Sequence, residues 1–326
     1  MDEMYEIILK DGFGLKLKGA TRTRSSLICF TDKGSFDLKK NIFDESRIIF
    51  EGEIRKNLNK NGFMNAVPFI DTVDGDIFFR YGDGRYTLEN HIDTVSFDEE
   101  EGWDYTEGAA TLGRLHNASF MDDFVCDRKN FGRLITTYEK RITEFKRIRK
   151  RIKKDALYDK ADMIIKKYYT YYLKRAEDAI KMVQESNYDA LSMYAMENKT
   201  FCHNSFKGDN IKRDKKTGEI YVDNFAKASY DVCISDLAYY IRRVIKMEDT
   251  DQNTVKDVLE AYGCETHLTD DKKALTKAMV VFPWKFMSLC NEYYNKRKGF
   301  TFDASVQRIE KCIRDIEKEE LIINSV

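Results

Sequence analysis

The feature of this chain that most constrains its fold is a change of pattern near residue 100. Before that point the sequence carries short runs of β-branched and aromatic residues between turn signals, and long stretches of helical periodicity follow it. Strands and helices kept in separate parts of a chain are typical of the α+β class, because a doubly wound α/β fold alternates them. We therefore predict an α+β fold with a β-rich lobe at residues 1–95 and a larger, mainly helical lobe at residues 96–326. The alternative is two unrelated domains joined near residue 100.

The β-rich lobe is predicted to be an antiparallel meander that carries one helix. Its strands are expected at residues 5–9, 27–30, 35–39, 77–81 and 85–88. Ile48, Ile49, Ile54 and Leu58 fit one face of a helix across residues 45–60. In the helical lobe, one hairpin strand at 218–225 interrupts helices predicted at 104–121, 131–154, 157–184, 187–198, 231–247, 253–261, 270–298 and 303–319.

Composition argues against several functions. The chain has 55 basic and 56 acidic residues, so its net charge of −1 does not favour binding to nucleic acid or to a membrane surface. Seven scattered cysteines without a C-x-x-C pair argue against a zinc site or a disulfide framework. The sequence has no basic leader with an apolar core and no run of about 18 uncharged apolar residues. We therefore expect cytoplasmic synthesis and no membrane span.

Two neighbouring segments carry the clearest chemical pattern. Residues 202–210 read Cys-His-Asn-Ser-Phe-Lys-Gly-Asp-Asn, and residues 219–226 read Glu-Ile-Tyr-Val-Asp-Asn-Phe-Ala. In kinase-type phosphoryl transfer, one loop supplies a base and a magnesium-binding Asn, and the next strand supplies a magnesium-binding Asp. The spacing here fits that arrangement, but the two carboxylates are missing. We therefore predict a protein-kinase-like, two-lobed fold with a degenerate catalytic loop at residues 201–226.

Further motifs make the assignment more specific. They occur in the same order along the chain, at Asp37–Lys39, Arg47–Phe63, Leu112–Ser119, Ser235–Arg243, Phe282–Phe286 and Glu292–Lys298. Together with residues 201–211, they resemble the motifs of the CotS-type spore coat protein family, whose relatives are aminoglycoside phosphotransferases and choline kinases. The resemblance implies a kinase-like fold and a role in the spore coat.

The resemblance also implies roles at the nucleotide end of such a fold. Lys39 would hold the α- and β-phosphates, and Glu53 on the following helix would pair with it, with Glu51 as the alternative partner. The loop expected to cover the phosphates reads Gly19-Ala-Thr-Arg-Thr-Arg-Ser-Ser26. Its single glycine predicts weak contact with a nucleotide, because glycine lets the backbone approach phosphates closely.

The same resemblance assigns the catalytic and metal positions. The base position holds Ser205, whose hydroxyl cannot take up a proton near neutral pH. Asn210 keeps one metal-ligand position, whereas Asn224 stands where a magnesium-binding carboxylate is expected. Asp209, inside the loop, is left open as a surrogate base. Asp223 precedes Asn224, and strand alternation predicts that its side chain faces away from the cleft.

Three histidine and carboxylate positions are predicted to be structural. In this fold class the loop histidine, His203, packs beneath the loop, and Asp236 accepts hydrogen bonds from the loop backbone. His116, on an amphipathic helix beside Leu112 and Leu115, fits a core histidine. The four histidines include no i,i+4 pair, so we predict no histidine metal site.

A basic segment at residues 138–154 has two interpretations. It holds nine basic and two acidic residues around an apolar stripe. It could contact acidic coat partners or a phosphate-rich surface, or it could be the solvated outer face of a helix.

The sequence as a whole predicts a spore coat-associated pseudokinase that acts in coat assembly with other spore coat proteins. It is expected to be made in the mother-cell cytoplasm and to lie in the spore coat, with no nucleic-acid partner. No cofactor is expected, and ATP with Mg²⁺ would be the ligands of any residual binding. The alternative is an active ATP-dependent small-molecule phosphotransferase that uses Asp209 or Asp223 in displaced roles. A nucleotide-binding regulator without transfer activity lies between the two.

Overall fold

The chain forms two compact units. The computed structural model describes residues 2–23, 26–97, 102–153, 159–247, 250–295, 302–314 and 316–323. The first unit comprises residues 1–104, 114–129 and 198–229, and the second comprises residues 105–113, 130–197 and 230–326. The predicted α+β fold is confirmed, with an antiparallel β-rich lobe and a larger helical lobe. The loop at residues 201–226, which we predicted in the helical lobe, belongs to the same compact unit as the β-rich segment.

The first unit is built on a five-stranded antiparallel sheet of order β1-β2-β3-β5-β4. Its strands are β1 (Leu17–Arg22), β2 (Leu27–Thr31), β3 (Ser35–Asn41), β4 (Phe79–Tyr81) and β5 (Gly84–Asn90). Half of the segment expected to cover phosphates, residues 19–22, therefore lies in strand β1, and residues 24 and 25 lie outside the described residues. The Thr23 hydroxyl donates to the backbone carbonyl of Ser26 at 3.0 Å, which closes the β1–β2 hairpin.

The N-terminal segment is helical, and the strand predicted at residues 5–9 is wrong. Helix α1 (Asp2–Ile7) is followed by a π-helical turn (Ile8–Gly12). Ile8 and Leu9 are both fully buried in one core cluster with residues of β2, β3 and β5. A strand would send these two neighbouring side chains to opposite faces, so burial against one core favours the helix.

Helix α2 (Glu45–Lys60) has the predicted bounds. The side chain of Asp44 caps it by accepting from the backbone N–H of Arg47 at 3.0 Å. Ile48, Ile54 and Leu58 are buried as expected, whereas Ile49 is exposed.

A second, three-stranded sheet lies in the first unit in the order β6-β8-β9. Its strands are β6 (Thr94–Ser96), β8 (Ile211–Asp214) and β9 (Ile220–Val222), and the two-residue strand β7 (Phe201–Cys202) precedes β8 at the start of the loop. β9 lies inside the predicted strand at 218–225. Strands β6 and β8 were missed because they are short and pair across a long stretch of sequence.

Helices dominate the rest of the chain. Strand β10 (Ser229–Tyr230) precedes α7, and the helices are α3 (Tyr105–Ala118), α4 (Leu134–Ile152), α5 (Lys160–Glu185), α6 (Tyr188–Glu197), α7 (Ile234–Val244), α8 (Gln252–Glu265), α9 (Asp270–Val281), α10 (Trp284–Asn295), α11 (Phe302–Arg314) and α12 (Ile316–Ile323). The helix predicted at 270–298 breaks at Pro283, because proline disfavours helical backbone at the preceding residue, and Phe282 is extended. The described residues of the helix predicted at 303–319 lie in α11 and α12, and residue 315 lies outside the described residues. Among the described residues, no helix is long and apolar enough to cross a membrane.

The basic segment at 138–154 forms most of helix α4. Its apolar stripe is buried, and three of its arginines lie over aromatic rings of the same unit. Arg141, Arg149 and Arg151 lie 4.8, 5.5 and 5.7 Å from the ring centroids of Trp284, Tyr169 and Tyr294. Three of the basic side chains therefore contact aromatic rings within the second unit. Residue 154, and residues 296–298 of the Glu292–Lys298 motif, lie outside the described residues.

Candidate functional site

Lys39 lies in a group of ion pairs within the first unit. Its Nζ is 2.5 Å from Glu89 Oε1 and 3.0 Å from Asp223 Oδ2. Strands β3 and β5 pair Lys39 with Thr87, so Glu89 is its diagonal neighbour on the same face of the sheet. Within the described chain the ion pairs of Lys39 go to these two carboxylates, so the predicted Lys39–Glu53 pair is not formed.

Arg55 joins the carboxylates of this group. Its side chain is buried, with NH2 2.7 Å from Glu51 Oε1 and 2.6 Å from Asp223 Oδ1. Its NH1 is 3.1 Å from Glu89 Oε2, and the guanidinium lies 4.5 Å from the ring centroid of Phe69. Glu51, the alternative partner predicted for Lys39, is therefore bound to Arg55. A buried arginine requires such partners, because an unpaired ion loses its hydration without compensation.

Asp223 is bound by three cations. Lys212 Nζ lies 2.7 Å from its Oδ2, in addition to the contacts with Lys39 and Arg55. Burial disfavours the charged carboxylate, but the three cations outweigh burial and hold the pKa of Asp223 well below its usual range. For Glu89 the balance is the opposite, because burial and the neighbouring Asp223 raise its pKa despite Lys39 and Arg55.

We call these six residues the ion-pair network; they are Lys39, Glu51, Arg55, Glu89, Lys212 and Asp223. Three positive and three negative groups balance to zero. The network is therefore satisfied by its own members, and none of its carboxylates is left without a cation.

The orientation predicted for Asp223 is wrong. Strand β9 ends at Val222, and Asn224 has left-handed backbone angles of φ 62° and ψ 64°. Strand alternation therefore does not extend to these two residues, and Asp223 faces Lys39 and Arg55 rather than pointing away.

Ser205, Asn210 and Asn224 form a second, uncharged group. The amide of Asn210 donates to the Ser205 carbonyl at 2.8 Å and to its Oγ at 3.0 Å. The amide of Asn224 donates to Asn210 Oδ1 at 3.1 Å. The structure thus brings together the three positions predicted for the base and the metal ligands. Asp209 is exposed and takes no part in these hydrogen bonds.

His203 connects the loop to the strand end that follows it. Its Nδ1 accepts from the backbone N–H of Ser205 at 3.1 Å, so its Nε2 carries the proton donated to the Asp223 carbonyl at 2.9 Å. The ring is fully buried. These contacts agree with a supporting role. Asp236 is buried in the first turn of α7, in the second unit, and its bonds to the loop stay a prediction.

A kinase-like fold implies ATP and Mg²⁺, so the oxygens at the expected metal position can be tested for fit. Mg²⁺ requires oxygen ligands in near-octahedral geometry. Both oxygens of Asp223 are bound to cations, and Asn210 Oδ1 accepts from Asn224. These oxygens therefore do not fit a magnesium ion in this arrangement.

Sequence reasoning missed Arg55, Glu89 and Lys212. One signal was present: Glu51 and Arg55 are spaced i,i+4 on the same face of α2 as Ile48 and Leu58. A charged pair on an apolar stripe is typical of a buried ion pair. Lys212 had no such local signal, because its position depends on the pairing of β8 with β9.

The fold is that of aminoglycoside phosphotransferases and choline kinases. It is similar to an aminoglycoside phosphotransferase from Alicyclobacillus acidocaldarius, with a TM-score of 0.81 and 13% identity over 95% of this chain and 91% of that one. A choline kinase from Cryptosporidium parvum Iowa II gives a TM-score of 0.57 at 12% identity, over 99% and 97% of the two chains. At such identities the similarity shows the fold alone.

The family is shown by sequence. The family model described as "Spore coat putative kinase YutH" matches residues 6–326, and the chain belongs to this family. Spore coat protein S of Bacillus subtilis (strain 168) is 22% identical over 279 residues, which are 82% of this chain and 76% of that protein. The resemblance to kinase-like spore coat proteins is thereby confirmed.

Proposed function

We propose that this chain is a spore coat pseudokinase, made in the mother cell, that acts in coat assembly through contacts with other coat proteins. Family membership supports the place of action. The observation that carries the loss of catalysis is the Asp223 carboxylate, which is bound by Lys39, Arg55 and Lys212. A carboxylate held by three cations is a poor magnesium ligand.

The cost of releasing Asp223 supports this proposal. Moving the carboxylate to a metal would remove one of the three carboxylate partners of Arg55, and a buried donor left without its acceptor costs about 1–3 kcal/mol. The base position is a second obstacle to catalysis, because Ser205 has a hydroxyl, bound to the Asn210 amide, in place of a carboxylate. Loss of a general base alone typically costs about 10²–10⁴-fold in rate.

The test is a pair of measurements on the purified chain. We expect no transfer of the γ-phosphoryl group of ATP to sugars, aminoglycosides, choline or the protein itself. We also expect any stabilisation by ATP in a melting experiment to be small and nearly independent of Mg²⁺, since a ligand raises stability only if it binds the native state. Strong stabilisation that requires Mg²⁺ would contradict the proposal.

One observation favours the alternative of an active phosphotransferase. Asp223 lies 3.0 Å from Lys39, and in kinases both the corresponding lysine and a magnesium-binding Asp act on the triphosphate. The two displaced roles can be separated by matched variants. Turnover abolished by Asp223→Asn but kept by Asp209→Ala would assign activity to Asp223, and the reverse pattern would assign it to Asp209.

Coat association has its own test. We expect a tagged chain to fractionate with purified coats from mature spores, and Asp223→Asn to leave that fractionation unchanged. A tagged chain recovered only in the soluble fraction would argue against a coat role.

A further inference from the structure

The second unit contains a cavity that the proposed function does not use. It is lined by residues of α5, α7, α9, α10, α11 and α12 and by the segments that follow α7 and α9. The empty space inside it, counted together with open solvent at its mouth, is about 480 Å³. All of its lining residues belong to the second unit.

The described lining of this cavity is strongly basic. Arg175, Arg242, Lys246 and Lys285 contribute four positive charges, and Glu319 is the carboxylate among the described lining residues. Glu319 Oε2 is 3.9 Å from Arg175 NH1, at the limit of an ion pair. The lining therefore carries an excess of positive charge, in contrast to the balanced ion-pair network.

The two arginines are held by the end of helix α9. Arg175 Nε donates to the carbonyl of Val281 at 2.7 Å, and Arg242 NH1 donates to the carbonyl of Met279 at 2.9 Å. A guanidinium has several N–H donors in a fixed fork, so one backbone bond leaves donors of Arg242 for another acceptor. Within the described chain Arg242 has no carboxylate partner, and burial lowers its pKa.

The two lysines lie near the same space. Burial raises the pKa of the Cys312 thiol, and the positive charges of Lys246 and Lys285 oppose that shift. Both ammonium groups are therefore within electrostatic reach of one lining residue, although they come from different segments. Both side chains are exposed, so either can be replaced without removing core packing.

An aromatic wall completes the cavity. The Phe282–Phe286 motif, which the proposed function leaves unexplained, lines it together with Tyr172. The ring of Tyr172 stacks on Phe286 with centroids 3.8 Å apart, and Arg141 lies 4.8 Å from the ring centroid of Trp284. The motif thus places partly exposed Trp284 next to exposed Lys285 at the start of α10.

We propose that this cavity binds a phosphate monoester. The phosphoryl group would lie among Arg175, Arg242, Lys246 and Lys285, and its organic group would lie against Trp284 and Tyr172. A phosphate dianion fits the excess charge better than a single carboxylate, and the arginine fork matches phosphate oxygens. The inference is independent of catalysis and of the ion-pair network.

Tryptophan fluorescence can test the site. The chain has two tryptophans, so Trp103→Phe leaves Trp284 as the reporter. The full-length chain is titrated with phenyl phosphate, inorganic phosphate and benzoate at constant ionic strength, balanced with sodium chloride. We expect saturable changes with both phosphates, tighter binding of phenyl phosphate, and the weakest binding of benzoate.

Variants that remove one positive charge distinguish a specific binding site from nonspecific attraction of the anion to the protein surface. We expect Lys246→Gln and Lys285→Gln each to weaken phenyl phosphate binding by at least about fivefold, which corresponds to roughly 1 kcal/mol. The matched control is Lys256→Gln on α8, an exposed lysine outside the lining that should leave binding unchanged. Equal weakening in all three variants, no saturation, or benzoate binding as tightly as phenyl phosphate would overturn the proposal. Because Arg242→Gln also removes the bond to α9, the two lysine variants carry the test.

Discussion

Arg55 in the first unit and Arg242 in the second satisfy their charges in opposite ways. Arg55 is bound to Glu51, Glu89 and Asp223, and these carboxylates raise its pKa even though burial lowers it. Arg242 is bound to a backbone carbonyl, and burial lowers its pKa. The first arrangement neutralises its own charge, whereas the second leaves a positive potential in a cavity.

This difference separates two uses of buried charge in one chain. A closed network is costly to open, because each ion removed leaves its partners buried and unpaired. A cavity with excess positive charge attracts an anion, so it is suited to binding. The first unit therefore neutralises its own charges, and the second holds the better candidate for an anionic ligand.

The largest expected effect comes from opening the network at Arg55. Arg55→Met keeps much of the side-chain volume but leaves three carboxylates close together, and we expect it to lower the free energy of unfolding by about 3–5 kcal/mol. The control is Lys56→Met, because the Lys56–Asp71 pair is exposed and should contribute about 0–1 kcal/mol. Urea unfolding of both variants checks this. A similar small loss in the two would show that the network does not stabilise the fold.

A carboxylate of the second unit, Asp231, should make the stability of the fold depend on pH. Burial, with a contribution from Asp236, raises the pKa of Asp231 to about 6, although the N–H of Val232 opposes the shift. The unfolded chain then releases this proton at lower pH than the folded chain, so stability falls as pH rises from about 4 to 6. Asp231→Asn should remove this dependence, by up to about 3 kcal/mol.

The measurement is the melting temperature of wild type and Asp231→Asn between pH 4 and 8. We expect the variant to gain relative stability as the pH rises, with a plateau above pH 7. Asp127→Asn, a change of the same type at an exposed position, is the control. Parallel pH curves for wild type and Asp231→Asn would contradict the raised pKa.

Asp223 should behave in the opposite sense. Its pKa in the folded chain is well below the usual value, so its ion pairs add stability above about pH 4 and are lost as the pH falls through the folded pKa. Asp223→Asn should therefore cost about 1–3 kcal/mol near neutral pH and less in acid. Unfolding at pH 7 and pH 3 checks this. An equal loss at both values would mean that the charge of Asp223 does not stabilise the fold.

The sequence predicted features that depend on neighbouring residues and missed features that depend on contacts between distant segments. Helix α2 was predicted with its bounds because the apolar spacing that indicated it is local. The meeting of Ser205, Asn210 and Asn224 follows the motif spacing of a known family. The N-terminal strand failed because burial of Ile8 and Leu9 in one core decides their conformation.

The ion-pair network was harder to predict for the same reason. Lys39, Arg55, Lys212 and Asp223 come from segments that meet only in the folded unit. The rule of strand alternation failed at Asp223 because β9 ends one residue earlier and Asn224 turns in the left-handed region. A one-residue difference in a strand end thus decided whether a carboxylate was placed inside or outside the site.

The smallest expected effect comes from a double variant that puts carboxylates at the predicted base and metal positions of the uncharged group. Ser205→Asp with Asn224→Asp would place two carboxylates beside Asn210, which now bonds to both side chains. Without metal the new charges should repel each other and Asp223, so we expect a loss of about 1 kcal/mol. Mg²⁺ with ATP should recover this loss, because two carboxylates and Asn210 would supply oxygen ligands that the wild type lacks.

Ser205→Asn with unchanged Asn224 is the control, because it has the shape of the aspartate variant without its charge. Melting with and without Mg²⁺ and ATP decides the outcome. If the double variant ignores Mg²⁺–ATP as the control does, positions 205 and 224 do not serve one metal site, and the cleft differs from a kinase cleft in more than its missing carboxylates.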